Sequence, residues 1–213
     1  MRGRSYVSPR SSLVDSADPL AGSDKVPVTK MSVDLSNTIE AEEADDGTLV
    51  ARTRAGDRGA FSALVRRHQA TVFRVCHRIL GDHEDAADAT QEAFVRAYRK
   101  LDTFQGQSAF RTWLLRLTVN VSLNERTRRR STAPLDDERA APGAGADTIA
   151  QAEASAQIHQ ALQRLPANHR AAVVLRDLEG LSYAEVATAL AVPEGTAKGW
   201  AHRGRERLKD ILT

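Results

Sequence analysis

The stretch from Ser182 to Leu208, SYAEVATALAVPEGTAKGWAHRGRERL, constrains the chain most tightly, because it reads as two short helices joined by a turn too tight for anything else. Ser182 with Glu185 three residues on fits a capping box, and Ala184, Val186, Ala187 and Leu190 form an apolar helical stripe. Pro193 followed by Glu194 suits the first turn of a second helix, whose inner stripe is Ala197, Ala201, Gly204 and Leu208. The outer face of that helix carries Lys198, Arg203, Arg205, Arg207 and Lys209. Small residues inside and cations outside are what a helix-turn-helix needs, since its second helix enters the DNA major groove while the first crosses the backbone. A merely solvated charged helix would require cap, turn and basic face to coincide by accident.

Helical spacing runs through the rest of the chain. From Thr48 the apolar positions Leu49, Val50, Phe61, Leu64, Val65, Val72, Phe73, Val75 and Ile79 recur three and four apart, and Gly81 ends the run. A second helix is predicted from about Asp85 to Leu101, with Ala86, Ala89, Ala93, Val95, Ala97 and Tyr98 available for burial, and a third from about Phe110 to Arg129. Between them lies a loop, Asp102 to Ser108. Ser131 to Ala150 combines Pro134, Pro142, Gly143 and Gly145 with small and charged residues, the composition of a linker. Helical spacing resumes with Ile158, Leu162 and Leu165, stops at Pro166 and continues through Ala171, Val174, Leu175 and Leu178 to Gly180. No segment alternates with a strand period, so the fold class is all-α: two small helical domains joined by a flexible linker, the C-terminal one with the helix-turn-helix. The expected boundaries are 1–46 for a disordered N-terminal extension, 47–130, 131–149 and 150–213. Met31 opens MSVDLSNTIEAEEADD, which resembles a natural start; the preceding segment is either a part of the natural protein or an upstream extension.

Formal net charge is only +2 over 213 residues, so a nucleic-acid surface has to come from segregation of charge. Acidic residues gather in 40–46, 82–88 and 136–138; basic ones in 126–130 and the last helix. The single Cys76 excludes an internal disulfide framework and a cysteine-cluster zinc site. The six His follow no metal-ligand spacing, and neither a phosphate-cradling Gly-rich motif nor a nucleophile beside a basic cluster occurs. The expectation is a non-enzyme without metal or cofactor. With no apolar run of membrane-spanning length and no apolar leader, it is also a cytoplasmic protein without membrane insertion.

Two segments are familiar. DHEDAADATQEAFVRAYRKLDTFQGQSAFRTWLLRLTVNVSLNERTRRR resembles the promoter-opening domain of the extracytoplasmic function (ECF) sigma factors of the sigma-70 family, and LPANHRAAVVLRDLEGLSYAEVATALAVPEGTAKGWAHRGRERL resembles their promoter-reading domain. The match covers roughly residues 47–130, corresponding to sigma region 2, and 150–211, corresponding to region 4. It implies an RNA polymerase specificity subunit whose partners are core polymerase (the β′ coiled coil and β), promoter DNA and an anti-sigma factor.

Asp85, Asp88, Gln91 and Glu92 share one face of the second helix, a face of exposed carboxylates that wants a basic partner. By the resemblance that partner is the β′ coiled coil. The resemblance also implies that the loop residues Phe104, Gln105, Gly106, Gln107 and Ser108, with Arg111, hold a base flipped from the −10 element, and that Asn120 and Asn124, one turn apart, meet the same element. Arg116 and Arg126 are candidate phosphate contacts, and Trp113, in an apolar stretch, is read as core. The −35 base edges fall to Lys198, Gly199, His202 and Arg203, with Thr196, Arg205 and Arg207 placed for phosphates. Gly199 and Trp200 depart from the family's common pattern. Gly199 has no side-chain donor, while Trp200 either alters the −35 preference or packs against Ala197 and Gly204. The linker of about 20 residues reaches at most ~65–70 Å, against ~68 Å between promoter elements about 20 base pairs apart. A free-standing helix-turn-helix regulator is the alternative, but it leaves the 85–117 segment without a purpose.

Overall fold

The computed structural model describes residues 44–132 and 149–213. The expected disorder of the N-terminal extension, the Met31 start and most of the expected linker lie outside those residues.

Short polar punctuation sets the N-terminal helices. Asp45 accepts a hydrogen bond from the Thr48 amide at 3.0 Å and starts α1 (Asp46–Arg54). Gly56, at φ +96°, allows the reversal after α1, and Asp57 then caps α2 (Arg58–Leu80) through the amides of Gly59 and Ala60. The periodicity ran α1 and α2 together; the Gly-Asp pair separates them. Gly81, at φ +91°, closes α2, and Asp82 caps α3 (His83–Lys100), which is followed by a 3-10 turn over Leu101–Thr103. Helix α4 (Phe110–Thr132) runs slightly past its expected end.

In the C-terminal half, α5 (Ile149–Gln163) and α6 (Ala167–Val173) precede a wide π turn over Val174–Leu178. Helix α7 (Tyr183–Leu190) begins with the full capping box: the Ser182 hydroxyl accepts from the Glu185 amide at 3.2 Å and the Glu185 carboxylate accepts from the Ser182 amide at 2.8 Å. Ala191 takes the left-handed conformation at the turn (φ +54°), and Pro193 precedes α8 (Glu194–Leu212) as its cap rather than as its first residue. All described elements are helical.

Two hydrophobic clusters organise these helices. The first belongs to α1–α4, with Leu49, Leu64, Val72, Phe94, Phe110 and Leu114 at its centre. The second joins both halves: Val75 and Ile79 of α2 and Leu115 and Val119 of α4 pack with Leu162, Leu165, Val174, Leu175 and Val186. Each such aliphatic side chain taken from water contributes roughly 1.5–3 kcal/mol, so the contact between the halves is part of the core. Ile158, Leu178 and Ala184, expected in the apolar stripes, are exposed; α5 seats itself through Ala161 and Leu162 instead.

Buried polar bonds lock the same seam. Arg170, fully buried, donates to the carbonyls of Ile79 (2.6 Å), Gln163 (2.5 Å) and Leu165 (3.1 Å), and Gln163 donates to the carbonyl of Arg78 at 3.0 Å. The His77 and His159 rings stack across the seam with centroids 4.3 Å apart. Burial, together with repulsion from His159, His83 and Arg78, depresses His77 to about 4 against the opposing pull of Asp82. Burial likewise depresses His159, with Arg170 and Arg78 nearby, although its Nε2 lies 3.3 Å from the Gly81 carbonyl.

Two outcomes are expected. A Cβ on Gly204 would stand 2.5 Å from Val173 Cγ2 and 3.2 Å from the His169 carbonyl, so Gly204→Ala forces α8 off α6. It should cost about 1–3 kcal/mol of stability, measured by urea unfolding. A histidine with a depressed native pKa is protonated first in the unfolded chain, so its contribution is complete above about pH 6.5 and is lost as pH falls towards 4. Between pH 7 and 5 the unfolding midpoint should therefore fall more steeply in the parent than in His77→Gln.

Candidate nucleic-acid and partner interface

Three surfaces gather the residues singled out by the sequence. The first is a groove of about 370 Å³ between α3 and α4, lined by Asp85, Asp88, Ala89, Glu92 and Arg96 on one side and by Val121, Asn124, Glu125 and Arg128 on the other. Asp88 and Gln91 are exposed, and Glu92 is half-buried and paired with Arg96 at 2.6 Å. Asp85 corrects the expected open acidic face: it is only 8% exposed, because it sits in the first turn of α3 directly over the capping residue Asp82 and against the α3–α4 contact. Val95 and Tyr98, expected among the buried positions of this helix, instead lie outward from Gln91, 42% and 50% exposed, because the small Ala86, Ala89, Ala93 and Ala97 make its inner face. The open face is thus acidic at one end and apolar at the other, a pairing the charges alone did not reveal.

The second surface is the loop after α3. Phe104 is buried, its ring meeting Phe110 at 5.8 Å and Trp113 at 5.4 Å, so it anchors the loop instead of forming its reading edge. Trp113 is half-buried in the same cluster, as its apolar neighbours implied. Gln105, Gly106, Gln107 and Ser108 are all exposed, with Gly106 at φ +70° giving the turn and Gln107 donating to Gln105 at 3.1 Å. Arg54 of α1 fixes the start of the loop by donating to the carbonyls of Leu101 (2.7 Å) and Phe104. The loop sequence gave no sign of Arg54, which lies 50 residues upstream of Phe104.

Helix α4 distributes its polar residues over different surroundings. Asn120 is half-buried, while Asn124 is exposed in the acidic groove with Asp88 and Glu92, not beside Gln105–Ser108. Arg116 is exposed. Arg126 is half-buried and donates to the Ile79 carbonyl at 3.3 Å, so in this conformation it is engaged within the chain. Arg111 and Thr112 face the C-terminal half: Arg111 donates to the Glu179 carboxylate at 2.5 Å and its carbonyl at 3.1 Å, and Thr112 donates to Glu185 at 3.0 Å. The Ser182 amide and hydroxyl, with Thr112 and Arg111 adding to them, hold the Glu185 carboxyl below the usual range.

The third surface is the outer face of α8. Lys198, His202, Arg203 and Arg207 are exposed on it, and Thr196 and Gly199 are partly so. The Arg203 guanidinium folds back over Gly199, 3.5 Å from where a Cβ would stand, an ordinary contact distance that a small side chain would also allow. Trp200 packs on the hydrophobic cluster of this half, which favours its packing role. Arg205 turns away from the open face to pair with Asp177 (3.2 Å) and to reach the Tyr183 hydroxyl (3.4 Å), so it is engaged at home rather than presented for phosphate. Among the described residues no cluster of three His, Cys, Asp or Glu is arranged to hold a metal, and no helix is long and apolar enough to cross a membrane.

The chain matches two family models, Sigma-70 region 2 over residues 64–132 and Sigma-70, region 4 over 155–208. It is 40% identical over 172 residues to the ECF RNA polymerase sigma factor SigM of Mycobacterium tuberculosis, covering 80% of this chain and 86% of that protein. The ECF RNA polymerase sigma-E factor of Escherichia coli K12 is 36% identical over 181 residues, covering 79% and 94%. Among solved structures, that of CnrH in complex with the cytosolic domain of CnrY superposes with a TM-score of 0.59 at 26% identity, covering 78% of this chain and 96% of CnrH.

The different burial of the two aspartates gives a direct check. Asp88→Lys should leave the unfolding midpoint within about 0.5 kcal/mol of the parent, whereas Asp85→Lys should lose several-fold more, because a cation replaces a buried carboxylate. Equal midpoints for the two variants would contradict the burial described for Asp85.

Proposed function

The chain belongs to the ECF sigma factors of the sigma-70 family, the RNA polymerase subunits that direct the core enzyme to promoters and assist strand opening, and on that premise we propose how its surfaces divide the work. Residues 47–130 act as region 2 and residues 150–213 as region 4, tethered through 131–149. Such factors bind and position; the bond-making chemistry of transcription belongs to the polymerase, in the cytoplasm, where we place this chain too.

The observation that carries the assignment is the exposure of three chemically different surfaces on one frame. The exposed face of α3, with Asp88, Gln91 and half-buried Glu92 running into Val95 and Tyr98, offers carboxylates and apolar area to the β′ coiled coil. Asp85 supports that face from beneath. The exposed loop Gln105–Ser108 is anchored by Phe104 and presents amide and hydroxyl groups to a base flipped from the −10 strand, with Arg111 in the first turn of α4 and Asn120 further along the same helix meeting the same element. Opening DNA without ATP depends on such capture, because a flipped base that is bound cannot restack.

Region 4 meets the duplex −35 element. Lys198, His202 and Arg203 lie on the face of α8 that a recognition helix turns to base edges, and Thr196 and Arg207 flank it for phosphates. Arg203 is exposed on this face and its guanidinium can take two acceptors of one base, so it is the base reader we favour at this site. An anti-sigma factor is the regulatory partner we propose; a solved neighbour at 23% identity, RpoE of Bartonella quintana, was crystallised with the anti-sigma factor NepR.

Run-off transcription with core polymerase tests the whole reading: transcripts should start at specific promoters only when the chain is added. Within that assay Arg203→Ala should cost about 1–3 kcal/mol of duplex −35 binding and relax discrimination at one position. Asn120→Ala should leave that binding intact and reduce permanganate reactivity of the −10 strand. Tight promoter binding without polymerase, and no transcript with it, would return the chain to the free-standing regulators.

A further inference from the structure

The contact between Glu179 and Arg111 joins a carboxylate of region 4 to the helix that carries the strand-opening residues of region 2. Both oxygens of Glu179 are used: Oε2 accepts from Arg111 at 2.5 Å and Oε1 from Arg78 at 3.4 Å, with the side chain only 3% exposed. Arg111 also reaches the Glu179 main-chain carbonyl at 3.1 Å, so its guanidinium grips one residue at two points. Next to it Thr112 donates to Glu185. A planar guanidinium accepts a carboxylate and a phosphate in the same forked geometry, and a Thr hydroxyl serves either.

We propose that Glu179, with Glu185 beside it, is an internal mimic of the DNA backbone: in the free chain region 4 occupies the Arg111–Thr112 edge of α4, and this edge meets promoter DNA only after region 4 has left. The proposal rests on the assignment of Arg111 to the −10 element made above. Three features of the chain support a reversible contact. Glu179 is delivered by the π turn, whose closing bond runs from its own amide to the Val174 carbonyl at 3.0 Å, and Gly180 at φ +76° turns the chain away immediately afterwards. Wide turns of this kind are rare and concentrate where function sets the geometry. A carboxylate buried at this seam between Arg78 and Arg111 carries a desolvation cost that an aliphatic residue would avoid, which suits a contact meant to be exchanged for another anion. The −35 face of α8 is exposed in the same conformation, so closure covers one DNA reader and leaves the other open.

The test uses the full chain labelled at Lys100→Cys and Leu212→Cys, both exposed positions, with native Cys76 fully buried. Energy transfer between the dyes reports closure, and a short fluorescein-labelled random-sequence DNA single strand, used with a chain that carries no dyes, reports access to region 2. Glu179→Gln, alone and with Glu185→Gln, should lower transfer efficiency and tighten single-strand binding by roughly 5- to 30-fold, because apparent affinity scales with the open fraction. Adding Arg111→Ala to the opened variant should remove that gain. A short bis-maleimide bridge between Thr112→Cys and Glu185→Cys should hold the chain shut and abolish open-complex formation by the assembled polymerase. Unchanged transfer and unchanged affinity in the glutamine variants overturn the proposal, and so does opening without tighter binding. If Arg111→Ala in the assembled polymerase still reduces strand opening, only the mimic has failed; if it has no effect, the assignment of Arg111 itself has failed.

Discussion

One guanidinium holds the two halves of this chain in register. Arg170 rises from α6 into a pocket with no exposed surface and donates to Ile79 at the end of α2, to Gln163 at the end of α5 and to Leu165 beyond it. The last carbonyls of a helix have no partners of their own and carry the negative end of its dipole, so a cation there satisfies both needs together. A buried charge with several well-placed acceptors is tolerable; the same charge with one helix withdrawn is not. The hydrophobic cluster around Val75, Leu115, Leu162 and Val174 gives the seam its adhesion, and Arg170 makes it specific.

Local chemistry in the sequence foretold local structure well. The capping box at Ser182, the stop at Gly81 and the small inner stripe of α8 each depend on residues within a few positions of one another, and each appears as read. What the sequence did not disclose depends on partners far along the chain. Asp85 reads as a surface carboxylate until α4 covers it, and Ile158 reads as core until α5 turns out to use the neighbouring face. Arg170 sits in HRAAVVL, where a lone cation among apolar residues was the available signal that something had to receive it. Glu179 offered less still, since a glutamate before a glycine ordinarily ends a helix in water.

The candidate interface divides along the same line. Exposure of Lys198, His202 and Arg203 follows from α8's own periodicity once its inner stripe is known. The surroundings of Arg111, Arg126 and Arg205 do not, because an arginine's reach lets any of several acceptors claim it. All three were read as contacts for nucleic acid, yet within this conformation each has protein acceptors: Glu179, the Ile79 carbonyl and Asp177. Counting basic residues on helices therefore overstates the positive surface that DNA first meets.

This bears on how the promoter is engaged. The two DNA readers must separate to span elements about 68 Å apart, and the 16 residues between Thr132 and Ile149 at ~3.3–3.6 Å each reach at most ~53–58 Å, so the widths of the two halves have to supply the rest. The chain cannot read both elements while Val75 and Ile79 remain packed against Leu162 and Val174. Losing that seam exposes aliphatic surface on both halves, so the closed form dominates in the free chain and full separation of the readers is favoured once other surfaces cover it. Core polymerase is the partner with enough area to do so, and it must bind before or together with the −10 strand. Specific initiation by this chain is then tied to assembly by the hydrophobic effect: the apolar faces of α2 and α4 that hold region 4 in the closed form must find a substitute before the strand-opening helix can work.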